Sequence, residues 1–184
     1  VFFMAGVSGP WIAGDIEELY SAGVQKVIIF GNCGVLDSKI EDCSIIIPTK
    51  GFRDEGTSYH YVSPSETIEI NPDYKEDFIK ILNEYNFDYT EGYTWTIDAF
   101  YRETKDKIKY FKDNGAVCVE MEGTVIASVC QRLNMKYFTF YYAGDNLDST
   151  VWDKRSIEGP TNIDKKKEVL LLALELAVVL NNYE

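Results

Sequence analysis

Val24-Gln25-Lys26-Val27-Ile28-Ile29-Phe30, followed by Gly31-Asn32-Cys33-Gly34, is the stretch from which the fold is read. It is a β-branched run of strand length, ended by Gly31 and Gly34. Upstream, the turn Gly6-Val7-Ser8-Gly9-Pro10 leads into a helix from about Trp11 to Ala22, and Val1 to Ala5 reads as the end of a buried strand. Downstream, Ser44 to Pro48 is a second short strand, and Asn71-Pro72-Asp73 announces a helix to about Asn86. Tyr89 to Ile97 alternates like a strand, Lys105 to Asn114 reads as helix, Ala116 to Val119 as strand and Met121 to Leu133 as helix. Tyr137 to Ala143 is the last strand, and a final helix from about Asn162 to Asn182 is capped by Thr161 or Asn162. Strands alternating with helices imply an α/β sheet covered by helices on both faces. Nothing marks a linker or a repeat, so residues 1–184 form one domain.

Composition narrows the function classes. The chain has 184 residues, 46% apolar, 26% charged and 14% aromatic, which is globular rather than disordered or low-complexity. Eighteen Lys and Arg against thirty Asp and Glu give a net charge of −12, so the footprint of a nucleic-acid or anionic-membrane binder is missing. Any anionic substrate must be held by a local site. No apolar run approaches the roughly 20 residues that span a bilayer. Cys33, Cys43, Cys118 and Cys130 form no CxxC pair, and all but Cys43 have apolar or Gly-rich neighbours, so neither a metal site nor a disulfide framework is indicated. Reduced thiols in a cytoplasmic protein are the expectation. The chain starts at Val1 inside an apolar run without a signal-peptide pattern, which suggests a missing N-terminal segment.

Ligands of such sheets bind beyond the carboxyl ends of strands, so the polar residues there are the candidates. Four clusters qualify: Gly31-Asn32-Cys33-Gly34, Asp98-Ala99-Phe100-Tyr101, Val119-Glu120-Met121-Glu122-Gly123 and Gly144-Asp145-Asn146. In the third, two carboxylates flank a methionine at a strand-to-helix junction. They can simply complement the helix dipole. Alternatively, a carboxylate accepts from the two vicinal hydroxyls of a ribose while the methionine packs on the sugar's apolar face. Asp145, likewise, is either a turn residue or a functional acid.

These clusters, with Glu17-Glu18-Leu19 and Arg53-Asp54-Glu55-Gly56-Thr57-Ser58, resemble in order those of the nucleoside phosphorylase and nucleosidase family. The resemblance covers nearly the whole chain. It implies a mixed, twisted sheet between helical layers, assembled as a homo-oligomer, either a dimer or a trimer of dimers. It also implies that Glu122 holds the ribose hydroxyls with Met121 against the sugar and Glu120 nearby. Phe100 packs on the base, Val119 lines the same pocket, and Asn32, Cys33 and Gly34 form the loop that contacts base and phosphate, Asn32 being the phosphate-binding candidate. By the same resemblance, Asp145 matches the aspartate that faces the purine N7 in purine-cleaving members.

The chemistry fits these residue types. Breaking an N-glycosidic bond passes through an oxocarbenium-like sugar and releases an electron-rich base that needs a proton. A carboxyl whose pKa is raised by burial or by neighbouring Glu120 and Glu122 supplies it near neutral pH. The resemblance therefore implies phosphorolysis of a purine nucleoside to free base and ribose 1-phosphate, with inorganic phosphate as co-substrate and no further cofactor. The remaining readings are a hydrolytic nucleosidase of the adenosylhomocysteine/methylthioadenosine type, a uridine phosphorylase, or a non-catalytic nucleoside-binding protein. Ile29 stands where phosphorolytic members carry a phosphate-clamping arginine, which favours hydrolysis. Arg102-Glu103-Thr104-Lys105-Asp106 lacks the glutamine with which uridine phosphorylases read uracil, which favours purine. His60 reads as a hydrogen-bonded structural residue or one bordering the sugar pocket, Arg53-Asp54-Glu55 as a solvated turn, although the resemblance implies a loop near the site or the dimer interface, and Arg155 as a surface residue able to approach Asp145 if its loop closes. The aromatics from Tyr137 to Tyr142 read as core and interface.

Overall fold

The computed structural model describes residues 1–157 and 159–182. Its helices are α1 (Gly9–Ser21), α2 (Lys75–Glu84), α3 (Lys105–Asp113), α4 (Gly123–Leu133) and α5 (Ile163–Asn181). Its strands are β1 (Lys26–Val35), β2 (Ile45–Asp54), β3 (Thr67–Glu69), β4 (Tyr89–Ile97), β5 (Ala116–Glu120) and β6 (Lys136–Asn146). They form one mixed sheet in the order β3-β2-β4-β5-β1-β6, and β2 also pairs with β6 through Ile45–Tyr142 and Ile46–Tyr141. The sheet thereby curls back on itself. The fold is the α/β arrangement that the alternation of elements implies, and its sheet is mixed, as the family resemblance implies.

Helices pack on two sides. Ile12 and Ile16 of α1 and Val125, Ile126 and Val129 of α4 bury against Val27 and Tyr137. On the other side, Phe78 of α2 and Leu172 and Leu176 of α5 meet Ile45, Phe138 and Phe140. Phe78 lies 4.4 Å from Phe140 and 5.0 Å from Phe138 between ring centroids, and each such aromatic pair adds about 0.5–1.5 kcal/mol to the gain from burial. Between them, Cys33, Val35, Ile46, Cys118, Tyr141 and Ala143 fill the curled sheet.

Several expected boundaries move, each for a local reason. β1 does not stop at Gly31 but runs to Val35, with a register shift between Cys33 and Gly34. A Cβ at Gly34 would stand 2.3 Å from Leu147 Cδ1 and 3.0 Å from Asp145 Oδ1, so glycine here is a close-approach residue and not a strand terminator. β2 likewise passes through Pro48, which sits at the shift between Pro48 and Lys50, where a ladder N–H is dispensable. Val1 to Ala5 forms no strand, and Val1 to Met4 are exposed. Asn162 does stand at the N-cap of α5, but its amide donates to Asp42 at 2.6 Å instead of capping the helix. All four cysteines are buried and free, Cys43 included.

Arg53-Asp54-Glu55 is not a solvated turn. Arg53 and Asp54 belong to β2, and Arg53 and Glu55 are buried. Arg53 Nε donates to Ser58 Oγ at 2.8 Å and Nη1 to the Ser63 carbonyl at 2.8 Å, while Glu55 accepts from Ser58 N at 2.9 Å and Thr124 Oγ1 at 3.1 Å. Charge is tolerated there because it is hydrogen-bonded, tying the end of β2 to α4.

Candidate active site

The sequence-named residues other than Phe100 lie on or directly after β5, β1 and β6, which are side by side in the sheet. Gly34 pairs with Val119 of β5 on one side and with Asp145 of β6 on the other, so one rung crosses all three strands. Glu120, Met121 and Glu122 follow Val119 directly into α4. Cys33, one residue before Gly34, is buried beside Glu120 and Asp145. Its thiol is pushed well up, by burial first and then by Cys118 and those two carboxylates. It is a protonated, apolar wall.

Glu120 is occupied. Its buried carboxylate accepts from Thr94 Oγ1 at 3.0 Å, Thr96 Oγ1 at 2.6 Å, Glu122 N at 2.7 Å and Gly123 N at 2.5 Å. Burial raises its pKa against these four hydrogen bonds. Two of the donors are amides at the start of α4, which otherwise lack partners. A Cβ on Gly123 would meet Tyr141 Oη at 2.5 Å and Glu120 Oε1 at 2.9 Å, so glycine is what allows the carboxylate beneath the helix start. Glu120 thus builds the junction that carries Glu122.

Glu122 is half-buried, and its Oε1 accepts from Ser8 N at 2.5 Å. Burial, then the charge of Glu120, pushes its pKa up to about 7, opposed by the Ser8 and Met121 amides. Ser8 has φ 102, so the Gly6–Pro10 turn is bent to aim this amide. Met121, beside Glu122, is also half-buried.

Asp145 is 8% exposed, and its Oδ2 accepts from Trp152 Nε1 at 2.6 Å. Burial raises its pKa, while the Trp152 indole and the Arg155 charge act in the opposite direction. Arg155 is not a plain surface residue: its side chain is 13% exposed and its Nη1 donates to the Ile40 carbonyl at 2.8 Å. Glu103 ends the short 3-10 turn Phe100–Arg102 that follows β4. Burial, then the charge of Asp145, raises its carboxyl to about 7, which puts it at the same end of the site.

Phe100 and Asn32 are exposed here. Phe100 is 52% exposed, with its ring 4.3 Å from that of Tyr101. Asn32 lies in β1 opposite Tyr142, and Val119 is buried opposite Gly34. His60 is exposed and lies in the short turn Ser58–His60. Sequence reasoning did not single out Trp152 or Glu103 for function, or Ser8 as a partner of Glu122. The available signal was position: Trp152 lies seven residues past Asp145 and Glu103 three past Phe100.

A cleft of about 680 Å³ lies elsewhere, between the 62–73 segment and the C-terminal end of α4, lined by Ser65, Glu69, Gln131 and Asn134 among others. Its ionisable groups include Asp73 and Lys136, which neutralise each other at 2.9 Å. The carboxylates described above lie outside it. Among the described residues no group of His, Cys, Asp and Glu is arranged to hold a metal ion, and no helix is long and apolar enough to cross a membrane.

Comparison with known proteins places the fold. A guanosine phosphorylase from Halorubrum lacusprofundi is 24% identical over 131 residues, 71% of this chain and 54% of its own length. A DeoD-type purine nucleoside phosphorylase from Bacillus cereus is 25% identical over 178 residues, 94% of this chain and 73% of its own. The crystal structure of an AMP nucleosidase from Bacteroides thetaiotaomicron superposes with a TM-score of 0.76 at 17% identity, covering 96% of this chain and 69% of that one, a likeness of fold. This chain spans about half the length of the Halorubrum relative. Residues 11–178 match the phosphorylase superfamily, and the chain belongs to that family.

Proposed function

We propose that the protein cleaves the N-glycosidic bond of a purine nucleoside by phosphorolysis, releasing free base and ribose 1-phosphate. The observation that carries this reading is the rung Val119–Gly34–Asp145, which leaves only β1 between a raised-pKa aspartate and the strand that leads to Glu122. Glu122 accepts from the ribose hydroxyls, exchanging the Ser8 amide for them, and Met121 packs on the sugar. Phe100 stacks on the base, with Val119, Cys33 and Gly34 as the apolar wall beneath.

As the bond between C1′ and the base nitrogen breaks, the base gains an electron pair and Asp145 transfers a proton to its N7. Asp145 is left as a carboxylate. A phosphate oxygen bonds to C1′, and Asn32 is the group we assign to the phosphate. A positioned acid of this kind contributes typically 10²–10⁴-fold. Asp145 also favours purine over uracil, because uracil offers no N7. The protein is expected to act in the cytoplasm as a homo-oligomer, without a cofactor beyond phosphate.

One observation favours a second reading. Ile29, at the place of the arginine that the resemblance implies for phosphorolysis, packs into the apolar core between α1 and α4. Water, needing no guanidinium clamp, would then be the attacking group. The test is chromatographic detection of free base from inosine, guanosine, adenosine, uridine and methylthioadenosine, with and without phosphate. Phosphate-dependent release supports the first reading and phosphate-independent release the second. Binding without release of any base overturns both and leaves a nucleoside-binding protein.

A further inference from the structure

Beyond β6 the chain doubles back. Asn146 N donates to the Asp153 carbonyl at 2.8 Å and Asp153 N to the Asn146 carbonyl at 3.3 Å, an isolated bridge that lays the intervening strap against the end of the strand. The bridge places Trp152 against Asp145, where the 2.6 Å hydrogen bond forms. The indole is 58% exposed, so burial of its ring is not what holds it there. Its one polar atom is spent on the carboxylate.

The two oxygens of Asp145 are therefore inequivalent. Oδ2 accepts the Trp152 N–H, while Oδ1 lies over the backbone of Gly34, 3.0 Å from where a side chain would begin. The hydroxyl oxygen of a neutral carboxyl is the weaker acceptor, so an N–H fixed on Oδ2 directs the proton to Oδ1. We propose that Trp152 is a positioning residue for Asp145, holding Oδ2 as acceptor so that Oδ1 carries and delivers the proton to the purine. The inference rests on the reading of Asp145 as the acid.

The bond also changes strength during that step. A hydrogen bond to an ionised acceptor is roughly twice as strong as one to a neutral group, so the Trp152 contact tightens as the proton leaves Oδ1. An interaction stronger after proton transfer than before it accelerates the reaction. Trp152 does not face Asp145 alone. Arg155 and Asp153 of the strap, Glu103 of the turn after β4 and Cys33 of β1 also act on it or feel its charge. Of these, Trp152 and Arg155 favour the ionised form.

The experiment compares Trp152→Phe, which keeps an aromatic and loses the N–H, with Trp152→Gln, which restores a neutral donor. Both are made in the full-length protein beside Asp145→Asn. Two quantities are read: the titration midpoint of the Asp145 carboxyl by ¹³C NMR without substrate, and the pH dependence of kcat on guanosine with phosphate. Trp152→Phe is expected to raise the midpoint, move the alkaline limb of kcat up with it and lower the plateau by about tenfold, within the range of general-acid effects. Trp152→Gln is expected to recover part of each change. An unmoved midpoint in Trp152→Phe, or identical behaviour of the two variants, overturns the inference. Parental purine rates in Asp145→Asn overturn instead the reading of Asp145 as the acid, a result that the NMR midpoint does not depend on.

Discussion

The main-chain N–H of Ser8 donates to Oε1 of Glu122 at 2.5 Å, joining residues 114 positions apart. A half-buried carboxylate that accepts from the Ser8 and Met121 amides is pre-aimed, and a ribose hydroxyl needs only to take the place of the Ser8 amide. Glu120 reinforces that aim from below, because its hydrogen bonds hold the Glu122 and Gly123 amides.

Glu122→Ala is therefore expected to abolish ribose-dependent affinity while leaving the fold intact. Isothermal titration with a nucleoside and with the corresponding free base reads this directly. Nucleoside binding should be lost and the weaker base binding retained; unchanged nucleoside affinity removes Glu122 from the sugar.

The same residue gives a pH prediction with a definite sign. Its folded-state pKa is near 7, above the usual carboxylate value of about 4.5, so between these values the folded protein holds a proton that the unfolded chain has lost. Stability contributed by this group is full below the lower value and falls as pH rises toward 7. Glu122→Gln keeps the acceptor for Ser8 and removes the titration. Its melting temperature should equal the parent's near pH 4 and exceed it above pH 7, by an amount corresponding to no more than about 3 kcal/mol. A gap that does not change with pH contradicts this.

Asp145→Asn is expected to slow purine nucleoside cleavage by roughly two orders of magnitude or more. Steady-state kcat with guanosine and phosphate is the readout. A carboxamide keeps the acceptor for Trp152 and so the local shape, which makes a retained rate decisive against the acid.

Gly34→Ala separates geometry from chemistry. The added methyl would press on Leu147 Cδ1 and approach Asp145 Oδ1, so kcat should fall by at least about tenfold although neither catalytic group is altered. Parental kcat in a folded Gly34→Ala protein shows that the position of Asp145 is not set by that contact.

Phe100→Ala is expected to raise KM for purine nucleosides about tenfold, in line with roughly 1–3 kcal/mol for stacking a base on an aromatic ring. Because Phe100 is 52% exposed, thermal stability should hardly change. Equal KM values for variant and parent dissociate this ring from the base.

The order of the elements from α1 onward, β3 excepted, and the cluster of strand-end residues were legible because they depend on local periodicity. Tyr89 to Ile97 alternates, and the strand β4 occupies those same residues. What was not legible depends on partners distant in sequence. Arg53 and Glu55 read as a solvated charge run, yet Ser58, Ser63 and Thr124 make their burial tolerable. Glu120 reads only as a carboxylate near the sugar site, and Thr94 and Thr96, more than twenty residues upstream, draw it inward. Gly31, Gly34 and Pro48 read as strand ends, yet the register shifts near Gly34 and at Pro48 absorb them. Trp152 carries no mark beyond its closeness in sequence to Asp145, since only the bridge between Asn146 and Asp153 brings it back to that residue.

The most direct measurement is a crystal structure of the full-length protein with a bound purine nucleoside analogue. We expect the ribose 2′ and 3′ hydroxyls on the carboxylate of Glu122, the ring of Phe100 on the base, and N7 within hydrogen-bonding distance of Asp145 Oδ1. A nucleoside seated in the cleft beside Ser65 and Gln131, or one whose base turns away from Asp145, contradicts it.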